Sequence, residues 1–378
     1  MQMRVLHIMS GFGGGISSFI WNKAKSMKKN EISFDVLTYD DCSIEFIRDI
    51  KATGGNVYKM VNPKKDGWVL FWKNIDKVMS EKGPYEIVHC HISGYRAMPF
   101  SLCAKKNGIK RFAIHAHTAA DETKEESKTE KLNRKLNNQM ATQKVSCGIK
   151  ATKHIFGEKT VDSNEVVHIP NSIDPIEYTG ESDVISLKNE IIGDNRTSII
   201  IGNVARFHYQ KNHKFMVDII EKLASKNVDF IWLFIGEGSL QDEIKLQIRE
   251  KGLEQYTRFL GRRNDVNKLY KLMDVFVLPS LYEGLPTVAV ETQAAGVPTI
   301  LSETITKEAD LGLGLVSFLP IRHTAETWAN EILKSNSIIV PSDEIRVNNI
   351  REKKFSNDAS AELYQAFIER KISHYEIN

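Results

Sequence analysis

The chain has 378 residues, of which 42% are hydrophobic and 26% charged, and its formal net charge is +3. That composition fits a soluble globular chain long enough for two domains and excludes the disordered and fibrous classes. No apolar run approaches the roughly twenty residues of a membrane-spanning helix. Four cysteines (Cys42, Cys90, Cys103, Cys147) form no Cys-x-x-Cys pair and keep no His-rich company, which argues against a zinc site and a disulfide scaffold. They read as buried thiols in a reducing cytoplasm. Lys and Arg exceed Asp and Glu over residues 1–168 and fall short of them afterwards. That asymmetry favours an anionic surface or substrate on the first half, or is drift without consequence.

Met3 to Met9 is a short apolar run, read as a first strand and not a signal peptide, because a Gly-rich turn follows at once. That turn, Gly11-Phe12-Gly13-Gly14-Gly15-Ile16, leads into a helix near Ser17 and allows backbone to approach a phosphate or sugar. Its glycine spacing is wrong for a dinucleotide fingerprint, so a dehydrogenase is a poor reading. Phe34 to Thr38 and Asn56 to Met60 read as strands, and Lys73 to Glu81 as an amphipathic helix. Glu86 to His91 is a further strand, ending where ligands gather in open α/β sheets, and a helix is expected from Tyr95 to Asn107. His91 is either such a ligand group or a structural histidine. In Arg111 to Thr118, strand alternation places His115 and His117 on one face.

The stretch from Thr123 to Met140 is rich in helix formers and carries Lys124, Lys128, Lys131, Arg134 and Lys135, with a thin apolar edge of Leu132, Leu136 and Met140. It reads as a solvated lid or as a basic helix resting on anionic lipid. Val145–Gly148 and Val166–Ile169 close the first domain, and Pro170 to Pro175 reads as a hinge. Strand and helix alternate again from Thr197, with strands expected at Ser198–Val204, Asp229–Ile235, Thr257–Leu260 and Pro298–Ser302, and helices at Lys214–Lys226 and Leu240–Lys251. From Phe355 onward a helical apolar stripe runs through Ala359, Leu363, Ala366, Phe367 and Ile372.

Two segments of the second half carry the chemistry. After the Ser198–Val204 run come Arg206 and Lys211, two fixed cations at a strand end. After Asp274–Pro279 comes Ser280-Leu281-Tyr282-Glu283-Gly284-Leu285-Pro286, opening a helix whose first turn Pro286 marks and which contains Glu291. A helix start beyond a parallel strand aims unpaired N–H groups at the crevice, and a phosphate suits it. Gly284 lets backbone come close to a ligand. Glu283 and Glu291 stand at two depths, suited to hydroxyl-rich groups on either side of a phosphate; as an isolated pair they read equally as a loop cap and a solvated helix residue.

Arg206 and Lys211, followed by Glu283-x7-Glu291 with Glu-Gly-Leu-Pro, resemble the donor site of retaining GT-B glycosyltransferases of family 4. Ile235-Gly236-Glu237-Gly238, Phe259-Leu260-Gly261 and Ala294-Ala295-Gly296-Val297-Pro298 add to the likeness, which covers nearly the whole chain. It implies an α/β fold, two Rossmann-like domains facing each other across a cleft: residues 1–168 with the C-terminal helix of about 356–378 on the acceptor side, and residues 169–355 on the nucleotide-sugar side. It implies Arg206 and Lys211 on the donor diphosphate with the backbone of Gly284 and Leu285, Glu283 on sugar hydroxyls, Glu291 on the ribose, and Arg262 beside the base. Gly14 and Gly15 face the cleft, and His117 touches the donor sugar. Retention proceeds by front-face attack in this family, and neither metal nor cofactor is implied, the chain having no Asp-x-Asp.

The basic stretch after His117 resembles the subgroup that builds exopolysaccharide and capsule repeat units. That implies a UDP-sugar donor, a hexosyl or N-acetylhexosaminyl group transferred to a polyprenyl-linked glycan acceptor, and a cytoplasmic enzyme touching the anionic inner face of the cell membrane. Nucleic acid is not an implied partner. A nucleotide-sugar 2-epimerase of the same fold, a silent nucleotide-sugar-binding subunit and a soluble enzyme with a small or protein acceptor are the rivals. The chain departs from the family at Ser172, where Asn-Gly is usual, and at Glu303–Glu308, where a Gly-Gly loop is usual.

Overall fold

The structure, a computed structural model, describes residues 2–27, 32–121, 124–180, 184–193, 199–335 and 337–375. Thr123, Thr197 and Ser198 of the sequence expectations lie outside the described residues. The chain divides into two compact units, one holding Met1–Ala120, Lys124–Ile173 and Lys354–Asn378, the other built on Asp174–Lys353.

The first unit is a seven-stranded parallel sheet of β1 (Met3–Met9), β2 (Ile32–Thr38), β3 (Val57–Lys59), β4 (Ile87–Cys90), β5 (Phe112–Ala116), β6 (Gln143–Ser146) and β7 (Val166–His168), in the order β3-β2-β1-β4-β5-β6-β7. All seven residues of β2 are buried, as expected of a parallel strand with helices on both faces. Phe19 and Ile20 of the Gly15–Ser26 helix pack on Val5, Phe34 and Val36, together with Tyr364 and Phe367 of the Asn357–Ile368 helix. Arg111 fixes the end of that last helix, donating from Nη1 to Ile368 O at 2.7 Å and from Nη2 to Phe367 O at 3.0 Å. These carbonyls lie at the helix terminus, the end that favours a cation, and Phe367 O also accepts from Arg370 N at 3.2 Å.

The second unit is a six-stranded parallel sheet of β8 (Ile199–Val204), β9 (Phe230–Ile235), β10 (Thr257–Gly261), β11 (Val275–Leu278), β12 (Thr299–Ser302) and β13 (Val316–Leu319), in the order β10-β9-β8-β11-β12-β13. Successive residues feed two cores. Ile231, Leu233, Phe276 and Leu278 belong to one, Trp232, Phe234, Val275 and Val277 to the other. Among the described residues no helix is long and apolar enough to cross a membrane.

Both sheets wind the same way, each reversing direction beside its first strand, between β1 and β4 and between β8 and β11. At such a reversal the outgoing connections diverge and leave a crevice at the strands' carboxyl ends.

Several elements differ from the sequence expectations. The helix expected from Lys73 begins at Trp68, and the one expected from Tyr95 splits into a 3₁₀ turn, Gly94–Ala97, and a helix, Met98–Lys106, with a proline in its first turn. Pro286 is the N-cap of the Thr287–Ala294 helix and not part of its first turn. The Ile44–Ala52 helix and β13 had no strong sequence signal, the first because it is short and set by the Ser43 cap, the second because it is a half-exposed edge.

Candidate functional site

At the reversal of the second sheet the chain leaves β8 through Ala205–Phe207, which carries Arg206. Ala205 N donates to Ile235 O at 2.9 Å and Phe207 N to Glu237 O at 3.0 Å, while Gly236 N donates to Gly261 O at 2.8 Å. The ends of β8, β9 and β10 are thereby laced together. A Cβ on Gly236 would stand 2.2 Å from Ala205 O, and one on Gly238 2.4 Å from Phe207 O. Glycine at 236 and 238 is what lets the loop after β9 close on the segment bearing Arg206. Arg206 itself is exposed, and among the described residues its guanidinium takes no partner. His213, buried, stacks on Phe207 with ring centroids 4.2 Å apart, and burial lowers its pKa to about 4.

Lys211 ends a 3₁₀ turn, Tyr209–Lys211, ahead of Asn212, whose backbone is left-handed at φ 57. Its ammonium pairs with the Glu283 carboxylate, a residue only 7% exposed. Gln210 joins the two segments: its Nε2 donates to Glu283 Oε2 at 3.1 Å and to Tyr282 O at 2.8 Å, and its carbonyl accepts from Leu281 N at 2.8 Å. The cationic loop after β8 and the Glu-Gly-Leu-Pro loop after β11 are therefore one construction. Gly284 and Leu285 are buried in it, just before the Thr287–Ala294 helix. Ser302 Oγ and Thr304 Oγ1 both donate to Ser280 O, at 2.5 and 2.7 Å. The end of β12 and the Glu303–Glu308 loop thus brace the site through one hydroxyl each.

Glu291 lies on the same helix, and Tyr270 donates its hydroxyl to Glu291 Oε2 at 2.7 Å. Desolvation raises the Glu291 pKa, against hydrogen bonds from Tyr270 and Tyr178 that lower it. Burial beside that carboxylate also drives the Tyr270 pKa well above its ordinary value, so the tyrosine stays a donor. Arg262 is exposed at the end of β10, whereas Arg263 is bound to Asp265 at 2.8 and 2.7 Å. Gln210, Tyr270 and Tyr178 had no signal in the sequence. The Tyr178 and Tyr270 positions become meaningful only once the fold brings them to Glu291.

At the reversal of the first sheet, Gly13 adopts φ 94 and Gly14 caps the Gly15–Ser26 helix. Gly13 N and Gly14 N donate to Ser17 Oγ at 3.0 and 3.1 Å, so two loop N–H groups are satisfied within the loop. A Cβ on Gly14 would meet nothing within 4 Å, whereas one on Gly15 would stand 3.1 Å from Asn171 Nδ2. Ser172, which departs from the expected glycine, takes no positive φ; its Oγ accepts from Lys23 Nζ at 3.0 Å and its carbonyl from Asn22 Nδ2 at 2.6 Å.

Beside this loop the strands deliver five histidines. His117 Nε2 lies 2.8 Å from His91 Nδ1, His91 Nε2 3.0 Å from His7 Nδ1, and His7 Nε2 3.3 Å from the Tyr364 hydroxyl. That hydroxyl lies 2.8 Å from His89 Nδ1, and His89 Nε2 3.2 Å from His115 Nδ1. A neutral imidazole has one donor and one acceptor, so the chain can be satisfied link by link without charge. Burial holds the rings neutral, lowering His7 and His117 to about 3 and His89, His91 and His115 well below their ordinary value. His115 and His117 stack at 3.9 Å, as alternation along β5 predicts. His91 is thus a structural link and also the partner of His117. Two triplets, His7/His89/His91 and His91/His115/His117, bring one nitrogen of each ring within 4.8 Å of one another; His7 and His91 use both ring nitrogens in the hydrogen-bond chain, whereas His115 Nε2 is buried without a partner among the described residues. His7, His89 and Tyr364 were not expected in this role.

The expected apolar edge of the basic stretch is largely used in packing. In the Lys128–Met140 helix Met140 is buried, Leu136 half-buried and Leu132 exposed. Its Asn137 Oδ1 accepts from Gly94 N at 2.6 Å and its Asn133 Oδ1 from Tyr95 N at 3.0 Å. Of the cysteines, Cys90, Cys103 and Cys147 are buried thiols and Cys42 is partly exposed.

The profile of the family described as "Glycosyl transferases group 1" matches residues 186–310, which hold Arg206, Lys211, Glu283 and Glu291. The chain is 32% identical over 338 residues to the putative glycosyltransferase EpsF of Bacillus subtilis, covering 88% of each. It is 29% identical over 228 residues, 59% of each chain, to the UDP-Gal:alpha-D-GlcNAc-diphosphoundecaprenol alpha-1,3-galactosyltransferase of Escherichia coli. Among solved structures it is similar to Anabaena Alr3699/HepE in complex with UDP-glucose, with a TM-score of 0.72, 15% identity and 98% of each chain covered. That last likeness is one of fold alone, and with the two parallel sheets it places the architecture in the GT-B class.

Proposed function

The chain belongs to the group 1 glycosyltransferases, and from that premise we propose that it moves a sugar with retention from a UDP-sugar to a lipid-linked glycan in exopolysaccharide or capsule synthesis. The observation that carries the reading is the single construction at the β8/β11 reversal, in which Arg206 and Lys211 share a loop tied to Glu283 and the start of the Thr287–Ala294 helix. Cleaving a nucleotide-sugar bond builds negative charge on the departing diphosphate, and fixed cations aimed there lower the barrier, one such donor being worth about 3 kcal/mol. Arg206, exposed and unpartnered among the described residues, is free to meet that charge. Lys211 exchanges part of its pairing with Glu283 for the phosphate, and Glu283, steadied by Gln210, receives sugar hydroxyls. These two cations supply the charge that a divalent ion supplies in other transferases. Glu291, oriented by Tyr270, holds the ribose hydroxyls, and Arg262 lies near the base. Within the first unit, Gly14, Gly15 and His117 are the groups assigned to sugar and acceptor hydroxyls.

Support for UDP comes from the Escherichia coli relative and from HepE, whose names carry UDP-sugars, and support for a lipid-linked acceptor from the diphosphoundecaprenol in the former. The relatives are named as transferases, which does not favour the 2-epimerase. Purified protein incubated with UDP-, GDP- and ADP-sugars should release UDP from one sugar class and gain rate with a polyprenyl-diphosphate-linked glycan. Conversion of the donor to its C2 epimer, or nucleotide binding with no turnover on any acceptor, would replace this reading by the epimerase or the silent subunit. The protein acts at the cytoplasmic face of the membrane in this account.

A further inference from the structure

We propose that Lys64–Leu70, together with Lys73, is a docking surface for the anionic face of a lipid bilayer, in place of the Lys128–Met140 helix. Residues 64 to 70 are exposed without a break, and Trp68, Val69 and Leu70 are 59%, 67% and 54% exposed. Three consecutive bare apolar side chains break the polar pattern of a solvated surface, and such a break marks an interaction site. The rest of the Trp68–Glu81 helix keeps the ordinary pattern, burying Phe71, Ile75, Val78 and Met79. Core packing therefore does not explain the exposed first turn. Trp68 meets Phe71 edge to face at 5.6 Å, which steadies an indole that still faces outward. Such a ring suits the boundary between headgroups and acyl chains.

Charge selects the partner. Lys64, Lys65 and Lys73 are exposed around the apolar triplet, and Asp66 is the one acid between residues 64 and 73. Lysines beside exposed tryptophan and leucine complement an anionic lipid surface, which offers both charge and an apolar interior. By contrast, the Lys128–Met140 helix keeps Leu132 as its one fully exposed apolar residue and spends its asparagines on neighbouring backbone. The docking stretch follows β3, at the carboxyl edge of the sheet that also carries the Gly14 loop, His91 and His117. A bilayer held there brings a lipid-linked acceptor to that edge. This last step rests on the acceptor proposed above, whereas the docking does not.

Flotation of the full chain with vesicles tests it. The protein should float with an equal mixture of phosphatidylglycerol and phosphatidylcholine and stay behind with phosphatidylcholine alone. Trp68→Ser/Leu70→Ser and Lys64→Glu/Lys65→Glu should each lower the bound fraction about tenfold, with unchanged melting and unchanged calorimetric binding of UDP. Lys131→Glu/Leu132→Ser should float within about twofold of the parent. Trp68→Phe should still float but lose part of the tryptophan quenching by brominated lipid. Absence of wild-type flotation, equal flotation by the Trp68/Leu70 variant, or loss confined to the Lys131/Leu132 variant would overturn the proposal. So would a dimer that the Trp68/Leu70 variant splits without any change in vesicle binding. If UDP fails to bind the wild type while flotation behaves as expected, the donor reading falls and the docking surface stands.

Discussion

At the reversal between β8 and β11 the second unit sets ionic groups, Arg206 exposed and Lys211 paired with Glu283. At the equivalent reversal between β1 and β4 the first unit, wound in the same order, sets neutral rings in a buried chain from His117 to His115. The difference follows from desolvation. A charge is tolerated where water or an ion partner remains, while imidazoles enter a core by surrendering their protons and bonding to one another. One crevice is thus suited to a charged phosphate and the other to neutral hydroxyls.

The largest test of this contrast is pH. The histidines of the first unit have folded pKa values below their unfolded value of about 6.5, so below that pH the unfolded chain binds protons that the folded unit refuses. The histidine contribution to stability is complete above about pH 7 and falls as pH drops from 6.5 toward 3, by at most about 1.4 kcal/mol per histidine per pH unit. His7, His89, His91 and His115 are all buried and contribute together. Lys23, lowered to about 7 by burial, acts in the same direction in its own window, adding stability as pH rises from 7. Amide protection in β1, β4 and β5 should fall between pH 7 and about 5.5 well ahead of β8, β9 and β11, after correction for intrinsic exchange. An equal fall in both sheets would erase the contrast.

Next in size, Arg206→Ala and Lys211→Ala should each slow transfer by at least about a hundredfold. They should differ in melting temperature: Arg206→Ala removes an exposed group that is unpartnered among the described residues and leaves it unchanged, whereas Lys211→Ala strands Glu283 and lowers it. Near-normal turnover in either would take that residue out of the reaction. His117→Ala should reduce kcat about tenfold with little change in UDP affinity, because its side of the account concerns the sugar. A matching loss in UDP affinity would move it to the nucleotide. Smallest, Glu291→Ala should weaken UDP binding in calorimetry by about fivefold, the size of one lost hydrogen-bonded contact. Unchanged affinity would reduce Glu291 to the structural partner of Tyr270.

Much of the fold was legible because buried parallel strands are continuous apolar runs; Phe230–Ile235 and Val275–Leu278 read as strands on sight. The Glu283 segment was legible for a different reason, its Glu-Gly-Leu-Pro run directly following such a strand. The histidine chain was legible only within β5, where alternation pairs His115 with His117. Its hydrogen-bonded links join the β4 segment to the β5 segment, β1 to the β4 segment, neighbours only through the reversal, and His7 and His89 to Tyr364 on the last helix. No local pattern encodes that meeting. The asparagines of the Lys128–Met140 helix misled in the opposite sense: polar residues read as a solvated face, yet Asn137 is buried and spends its amide on Gly94 and Ile155.

The central claim is that the donor diphosphate is held by the loop after β8. A crystal structure with UDP bound measures it most directly. The account predicts phosphate oxygens within hydrogen-bond distance of the Arg206 guanidinium and Lys211 Nζ, beside the start of the Thr287–Ala294 helix. UDP bound elsewhere, or both cations turned away from its phosphates, would contradict it.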